Sequence, residues 1–300
     1  MPVIPEDRSV AGSIINFAEP KAIMQHQRPL SLSRANASLT YVQAGSGSAP
    51  LLLFHGFGQT HHAFEPLLEV LGQRYQLYLF DLFFHGNSTW TMGEQPLEKD
   101  EWKNWMEQFF QQHGIDKFSV LGFSMGGKFA MATLEAFPDR VSDIILLAPD
   151  GIKTSFWYSL ATYPVALRKL FKSLIDHPER FHTIAHTAHR LGLIDSGVLR
   201  FVEYQMNTEE KRSRVYYAWV VFRHLQFDLR KIAQLMQTHS VHLTLLVGRY
   251  DKIITANNMQ RLLRLVPFAR FEVLEAGHND LIEKSRDYFS RVPEKLTYRP

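Results

Sequence analysis

Short apolar runs alternate along most of the chain with stretches that have helical spacing. This rhythm constrains the fold more than any other feature, because an uninterrupted apolar run suits a strand that is covered on both faces. Each run is four to eight residues long. The runs are Leu51–Phe54, Gln76–Asp81, Phe118–Gly122, Asp143–Pro149, Val241–Gly248 and Arg270–Ala276. We therefore predict an α/β fold with a mostly parallel central sheet flanked by helices.

Two segments depart from the rhythm. Arg28–Gly45 alternates in places, breaks at Asn36, and predicts a β-hairpin before the parallel part begins. Residues 151–229 contain helical patterns rich in Arg, His and aromatic residues, with no clear strand. We predict a core domain made of residues 1–150 and 230–300, with residues 151–229 inserted as a helical cap.

Composition excludes several classes of protein. The longest apolar stretch, Val215–Phe222, is far shorter than the roughly 20 residues that cross a membrane. The first residues, MPVIPEDRSVAGS, lack the apolar run of a secretory signal. The chain has no cysteine, which excludes disulfides, thiolate metal sites and cysteine nucleophiles, and fits a reducing compartment. We expect a cytoplasmic protein with no transmembrane segment; its oligomeric state, monomer or homodimer, is left open.

The charge balance gives no sign of a nucleic-acid partner. There are 33 basic and 30 acidic residues, a formal net charge of +3. Nucleic-acid-binding domains concentrate a larger basic excess on one surface. We expect a small-molecule substrate instead.

One motif at a predicted strand-to-helix junction indicates nucleophilic catalysis. Gly122-Phe123-Ser124-Met125-Gly126 follows the run that begins at Phe118, and a helical pattern comes after it. Small residues two positions before and after a serine allow a sharp turn that exposes its hydroxyl at the end of the sheet. A phosphate-binding loop would need Ser or Thr after Gly127-Lys128, where the chain has Phe129. The motif predicts Ser124 as a nucleophile.

With these residues the chain resembles the α/β-hydrolase family, from about Thr40 to the last helix, the cap excepted. The resemblance implies a triad in the order Ser, acid, His. It places the acid at Asp251, in Gly248-Arg249-Tyr250-Asp251, and the base at His278, in Ala276-Gly277-His278. Asp150, which follows the preceding strand, remains an alternative acid.

The resemblance also implies an oxyanion hole. Its donors would be the backbone N–H groups of Phe57, in His55-Gly56-Phe57-Gly58, and of Met125; Gly56 and Gly58 remain alternatives to Phe57. We interpret His55 as a structural residue that bridges loops.

The next loop departs from the family. The family usually has D-x-P-G-H-G-x-S, and this chain has Phe83 and Phe84 in place of Pro and Gly. We expect an altered turn, with two aromatic rings in the pocket or the core, and structural roles for Asp81 and His85.

The function predicted is hydrolysis of a carboxylic ester, or a related acyl bond, through an acyl-enzyme, with no metal or organic cofactor. Aromatic residues make up 13% of the chain and crowd the predicted site. We therefore expect an apolar acyl or ring pocket, with Phe123, Phe156 and Trp157 as substrate-binding residues. The same triad could hydrolyse a C–C bond in a ring-cleavage diketone, act as an aminopeptidase, or belong to a non-catalytic member of the fold.

A histidine stripe in the cap remains. His182, His186 and His189 share one face of a predicted helix at a spacing that could hold a metal. No carboxylate completes an H-E-x-x-H pattern on that face. We therefore predict a solvated or interhelical stripe and no metal site.

Overall fold

The computed structural model describes residues 28–34, 36–152, 159, 161–194 and 196–291. Within them, nine strands form one sheet in the order β1-β2-β4-β3-β6-β7-β8-β9, with β5 beside β2. The strands are β1 (Leu30–Arg34), β2 (Ala37–Ala44), β3 (Ala49–Phe54), β4 (Tyr75–Phe80), β5 (Thr89–Trp90), β6 (Phe118–Phe123), β7 (Val141–Leu147), β8 (His242–Gly248) and β9 (Arg270–Leu274). Strands β4, β3, β6, β7, β8 and β9 pair in parallel in that order, and β2 pairs antiparallel with β1, β4 and β5. The predicted hairpin and the mostly parallel sheet are both confirmed.

Helices cover the sheet and fill the predicted insertion. They are α1 (Leu68–Gly72), α2 (Lys99–His113), α3 (Gly126–Ala136), α4 (Val165–Asp176), α5 (Pro178–Arg190), α6 (Ser196–Met206), α7 (Glu209–Val221), α8 (Leu229–Thr238), α9 (Ala256–Leu265) and α10 (Leu281–Arg291). A 3₁₀ helix, His61–Leu67, which contains Pro66, leads into α1. Proline cannot donate the backbone hydrogen bond that a regular α-helix needs there. No helix in the described ranges is long and apolar enough to cross a membrane.

Much of the aromatic content belongs to the core rather than to a pocket. Phe83 is fully buried, with its ring 5.0 Å from that of Trp90 and 5.5 Å from that of Trp105. Trp102 is also fully buried and donates its indole N–H to Thr133 Oγ1 at 3.0 Å. Burial of one such side chain stabilises a fold by about 1.5–3 kcal/mol. Of the two rings that depart from the family pattern, Phe83 thus lies in the core.

The helices α4 to α7, called here the helical insertion, lie between β7 and β8 in the chain and have a small apolar cluster of their own. This cluster consists of Ile175, Met206, Val215, Tyr216 and Val220. Toward the end of α7, Ala218 and Val221 pack instead into the main core. The division of the chain at residue 229 stays a prediction.

A core loop holds the helical insertion by polar contacts. Glu94 accepts a hydrogen bond from Arg168 Nε at 3.0 Å and one from the Tyr216 hydroxyl at 2.8 Å. The N–H of Leu97 donates to the carbonyl of Val221 at 2.9 Å. The carboxyl ends of the parallel strands lie at one edge of the sheet, which in α/β folds is where ligands bind.

Candidate active site

Ser124 lies on a sharp turn between β6 and α3. Its φ of 49° is in the left-handed region, which costs a residue with a side chain about 1–2 kcal/mol. The turn is held by a hydrogen bond from the Ser124 N–H to the Leu147 carbonyl at 2.9 Å. The flanking glycines are required sterically, since a Cβ on Gly122 would lie 2.5 Å from the Gly126 carbonyl oxygen and one on Gly126 would collide with that of Phe54. The local structure therefore agrees with the prediction that small residues on both sides of the serine allow this sharp turn.

Ser124, His278 and Asp251 meet although they follow three different strands. Ser124 Oγ is 3.0 Å from His278 Nε2, and His278 Nδ1 is 2.6 Å from Asp251 Oδ2. The Asp251 side chain is fully buried, and the His278 side chain is only 11% exposed. The structure thus brings together the three residues that the sequence predicted as a triad.

The hydrogen bonds of Asp251 determine which nitrogen of His278 carries the proton. Asp251 Oδ1 accepts the backbone N–H groups of Ile253 and Ile254, each at 2.8 Å, and Oδ2 faces His278 Nδ1. An ionised carboxylate only accepts hydrogen bonds, so Nδ1 must be the donor. The lone pair of Nε2 then faces Ser124 Oγ, which is the arrangement that can take up the hydroxyl proton.

The alternative acid, Asp150, contacts other groups. Its Oδ2 lies 3.0 Å from Lys128 Nζ, and its Oδ1 accepts the N–H of Gly151 at 2.7 Å. Its N–H donates to the Ser124 carbonyl at 2.8 Å. Asp150 thus supports the turn that carries Ser124, while Asp251 is the carboxylate bonded to His278.

Two of the three candidate oxyanion donors in the loop after β3 already have acceptors. The Gly56 N–H donates to Gln59 Oε1 at 3.0 Å, and the Gly58 N–H donates to His85 Nε2 at 2.9 Å. Within the described part of the chain, the N–H groups of Phe57 and Met125 have no acceptor. Of the three amides that the sequence left open in this loop, Phe57 is the one available to a ligand.

Two neutral histidines fix this loop against the one after β4. His55 donates from Nδ1 to the Gly56 carbonyl at 2.7 Å and accepts the Leu82 N–H at Nε2. His85 likewise donates from Nδ1 to the Phe83 carbonyl at 3.0 Å. Burial lowers the pKa of His55 to about 4 and that of His85 well below its usual value. Both rings therefore stay uncharged at neutral pH, and His55 has the bridging position expected for it.

Asp81 anchors the start of the neighbouring 3₁₀ helix. Its Oδ1 accepts the backbone N–H of His61 at 2.8 Å and the ring Nδ1 of His61 at 2.9 Å. Burial alone would raise the pKa of Asp81, but these hydrogen bonds outweigh it and lower the pKa below its usual value. Asp81 makes these contacts within the loops that support the site, in keeping with a structural role.

The predicted substrate-binding residues have different outcomes. Phe123 is 2% exposed, and its ring lies 5.1 Å from that of His278. A direct contact between Phe123 and substrate stays a prediction. Phe156 and Trp157 lie outside the described residues.

Sequence reasoning missed Gln205 of α6. It is 7% exposed, and its amide lies against the Phe57 loop, where a Cβ on Gly58 would be 2.8 Å from Nε2. No described residue is hydrogen-bonded to that amide. No local pattern marks this glutamine, because its neighbour in space is far away in the chain.

Curated relatives match part of the chain. It is 32% identical over 114 residues to a pimeloyl-[acyl-carrier protein] methyl ester esterase of Legionella pneumophila, covering 37% of this chain and 44% of that protein. It is 30% identical over 129 residues to the rat 1-acylglycerol-3-phosphate O-acyltransferase ABHD5, covering 42% and 37%. The matched stretch thus spans less than half the length of these relatives.

Solved structures resemble nearly the whole chain. A thermophilic esterase from Thermogutta terrifontis superposes with a TM-score of 0.65 at 19% identity, covering 90% of this chain and 98% of that one. The naproxen esterase of Bacillus subtilis superposes with a TM-score of 0.60 at 18% identity, covering 91% of this chain and 92% of that one. At these identities the likeness concerns the fold. The family model described as alpha/beta hydrolase fold matches residues 49–285, and the chain therefore belongs to the α/β-hydrolase fold family.

Proposed function

We propose that this protein is a serine hydrolase that cleaves a carboxylic ester, or a related acyl bond, of a small and largely apolar substrate. The observation that carries the proposal is the continuous chain of hydrogen bonds from Ser124 Oγ through His278 to Asp251. A serine hydroxyl is a weak nucleophile until a neighbouring base takes its proton. The partial relatives named as an esterase and an acyltransferase support acyl chemistry.

The first half of the reaction forms an acyl-enzyme. Ser124 Oγ attacks the carbonyl carbon of the ester while His278 Nε2 takes its proton. The carbonyl oxygen becomes an oxyanion, which accepts hydrogen bonds from the N–H groups of Phe57 and Met125. His278 then gives its proton to the leaving alcohol oxygen as the C–O bond breaks, and Asp251 stabilises the charged imidazolium meanwhile.

The second half releases the acid. Water attacks the acyl carbon, His278 takes one of its protons, and the same two N–H groups hold the second oxyanion. The bond to Ser124 Oγ breaks as His278 returns the proton to it. No step needs a metal or an organic cofactor, so the proposal includes none.

Gln205 is the residue of the helical insertion that we expect to contact substrate. An amide can both donate and accept a hydrogen bond, and no described residue is hydrogen-bonded to that of Gln205. The amide lies against the Phe57 loop, next to the proposed oxyanion donor. We expect the amide to form a hydrogen bond with a polar atom close to the acyl carbonyl of the substrate.

A fluorophosphonate probe tests the nucleophile, because it reacts covalently with activated serine hydroxyls. Intact-mass spectrometry should show one adduct on the native chain and none on Ser124→Ala. Ser290→Ala, on the last helix, is a control that should label like the native chain. Undiminished labelling of Ser124→Ala would refute the assignment.

Substrate class needs a separate measurement. Nitrophenyl esters of increasing acyl length should be hydrolysed, and a ring-cleavage diketone should not. Turnover of the diketone with no turnover of any ester would replace the proposal by C–C bond hydrolysis on the same triad.

A further inference from the structure

The histidine stripe of α5 acquires a carboxylate from the next helix. His182 and His186 lie one turn apart, and Glu203 of α6 faces them, with His186 Nε2 at 3.0 Å from Glu203 Oε1. One ligand atom from each of the three side chains lies within 4.8 Å of the other two. No sequence pattern indicates this group, because Glu203 is on a different helix and outside any H-E-x-x-H pattern.

The third histidine of the stripe is not part of this group. His189 Nδ1 lies 3.0 Å from the Ile194 carbonyl oxygen, to which it donates just beyond the end of α5. The stripe therefore divides into a residue that holds the end of the helix and a pair that shares a carboxylate.

We propose that His182, His186 and Glu203 form a binding site for a divalent transition metal, with Zn²⁺ as the ion that fits best. Two imidazoles and one carboxylate are a ligand set that proteins use for zinc, and water fills the fourth position. Imidazole nitrogen disfavours the hard ions Mg²⁺ and Ca²⁺, which prefer oxygen ligands. The carboxylate of Glu203 neutralises one of the two positive charges of the ion.

The distances between the ligand atoms of these three side chains are close to those of a metal site. Bonds of about 2.0–2.2 Å in a tetrahedral site put neighbouring ligand atoms about 3.4 Å apart. The His186–Glu203 pair is already at 3.0 Å, so closing the site requires mainly that His182 move inward. The His186 side chain is 55% exposed and that of Glu203 is 31% exposed, so both can adjust and the ion can enter from solvent.

A bound ion would join α5 to α6. These helices form part of the helical insertion, and α6 carries Gln205. The site would thus be a structural clamp within the insertion, outside the Ser124 machinery, and it stands whether or not Ser124 is the nucleophile. A simple His–Glu hydrogen bond is the alternative.

Zinc titration of the whole protein tests the proposal. Isothermal calorimetry should give one Zn²⁺ per native chain, and His182→Ala and Glu203→Gln should each weaken binding by roughly tenfold or more. His177→Ala is the matched control, since His177 precedes the same helix, pairs with Glu179 at 3.4 Å and does not belong to the three-ligand group. Its affinity should equal that of the native chain.

A second measurement needs no variant. Zn²⁺ should protect His182 and His186 from diethyl pyrocarbonate, read by peptide mass spectrometry, while His177 remains reactive. Absence of stoichiometric binding, equal affinity in all variants, or protection at His278 instead would overturn the proposal.

Discussion

Replacement of Asp251 by asparagine should inactivate the protein through a change of tautomer in His278. The backbone N–H groups of Ile253 and Ile254 both point at Oδ1, at 2.8 Å each. An asparagine in the same place must present its carbonyl oxygen to these two donors, because its NH₂ group would oppose them. The NH₂ group then occupies the position of Oδ2, 2.6 Å from His278 Nδ1.

An NH₂ group at that position reverses the direction of the chain of hydrogen bonds. It donates to His278 Nδ1, so the neutral ring carries its proton on Nε2, 3.0 Å from Ser124 Oγ. Nε2 can then no longer accept the hydroxyl proton, and the imidazolium loses its counter-charge. We expect kcat/KM to fall by about 10⁴-fold, which corresponds to about 5–6 kcal/mol of transition-state stabilisation.

The assay compares kcat/KM for one nitrophenyl ester in the native chain, Asp251→Asn and Asp150→Asn. Asp150 is the matched control, since it is an aspartate near the same turn whose carboxylate contacts Lys128 instead. Asp150→Asn should lower kcat/KM by less than about tenfold. Circular dichroism confirms that each variant is folded. Activity of Asp251→Asn within about tenfold of native, or a larger loss in Asp150→Asn, would refute the reasoning.

Three further predictions concern stability and substrate binding. Acidification should destabilise the fold, because the buried His55 has its pKa lowered to about 4 and the unfolded chain takes up the proton first, near pH 6.5. Up to about 3 kcal/mol of unfolding free energy is lost as the pH falls from 6.5 to 4, and a constant urea midpoint over that range would contradict this. Gly126→Ala should lower the free energy of unfolding by at least about 2 kcal/mol more than Gly114→Ala. The reason is that a Cβ at position 126 would collide with backbone atoms, whereas Gly114, at φ 62°, has open space around it. Equal thermal midpoints of the two variants would exclude the steric explanation. Gln205→Leu should raise KM for the ester by about five- to tenfold with a smaller effect on kcat, and an unchanged KM would exclude contact between this amide and substrate.

Local chemistry explains why so much of the fold was predictable. The run at Leu51–Phe54 becomes β3, whose last four residues are fully buried, because its position in mid-sheet demands apolar side chains on both faces. The sharp turn at Ser124 was predictable because Gly122 and Gly126 are required sterically within a few residues of it. Asp251 and His278 follow strands in the same recognisable way.

The choices that sequence left open depend on contacts between distant segments. Lys128 engages Asp150 and so distinguishes it from Asp251, and His85 engages Gly58 and so distinguishes it from Phe57. Neither pairing follows a sequence period. The helical insertion is harder still, since its helices offer several faces each and only packing shows that Glu203 meets the histidines of α5.

The loop after β4 shows how the departure from the family pattern and the helical insertion depend on each other. Phe84 has a φ of 68°, a conformation that glycine adopts freely and that costs phenylalanine about 1–2 kcal/mol. Its ring stacks on Tyr217 at 5.9 Å and 20°, and lies 5.9 Å from Phe222, while Arg214 Nε donates to its carbonyl at 3.0 Å. Two aromatic pairs contribute about 0.5–1.5 kcal/mol each, which is enough to offset the backbone cost. All three partners lie in α7 or directly after it. The phenylalanine is therefore tolerable in this turn because the insertion packs on it, and the same contacts fix the insertion over the loop that carries His85.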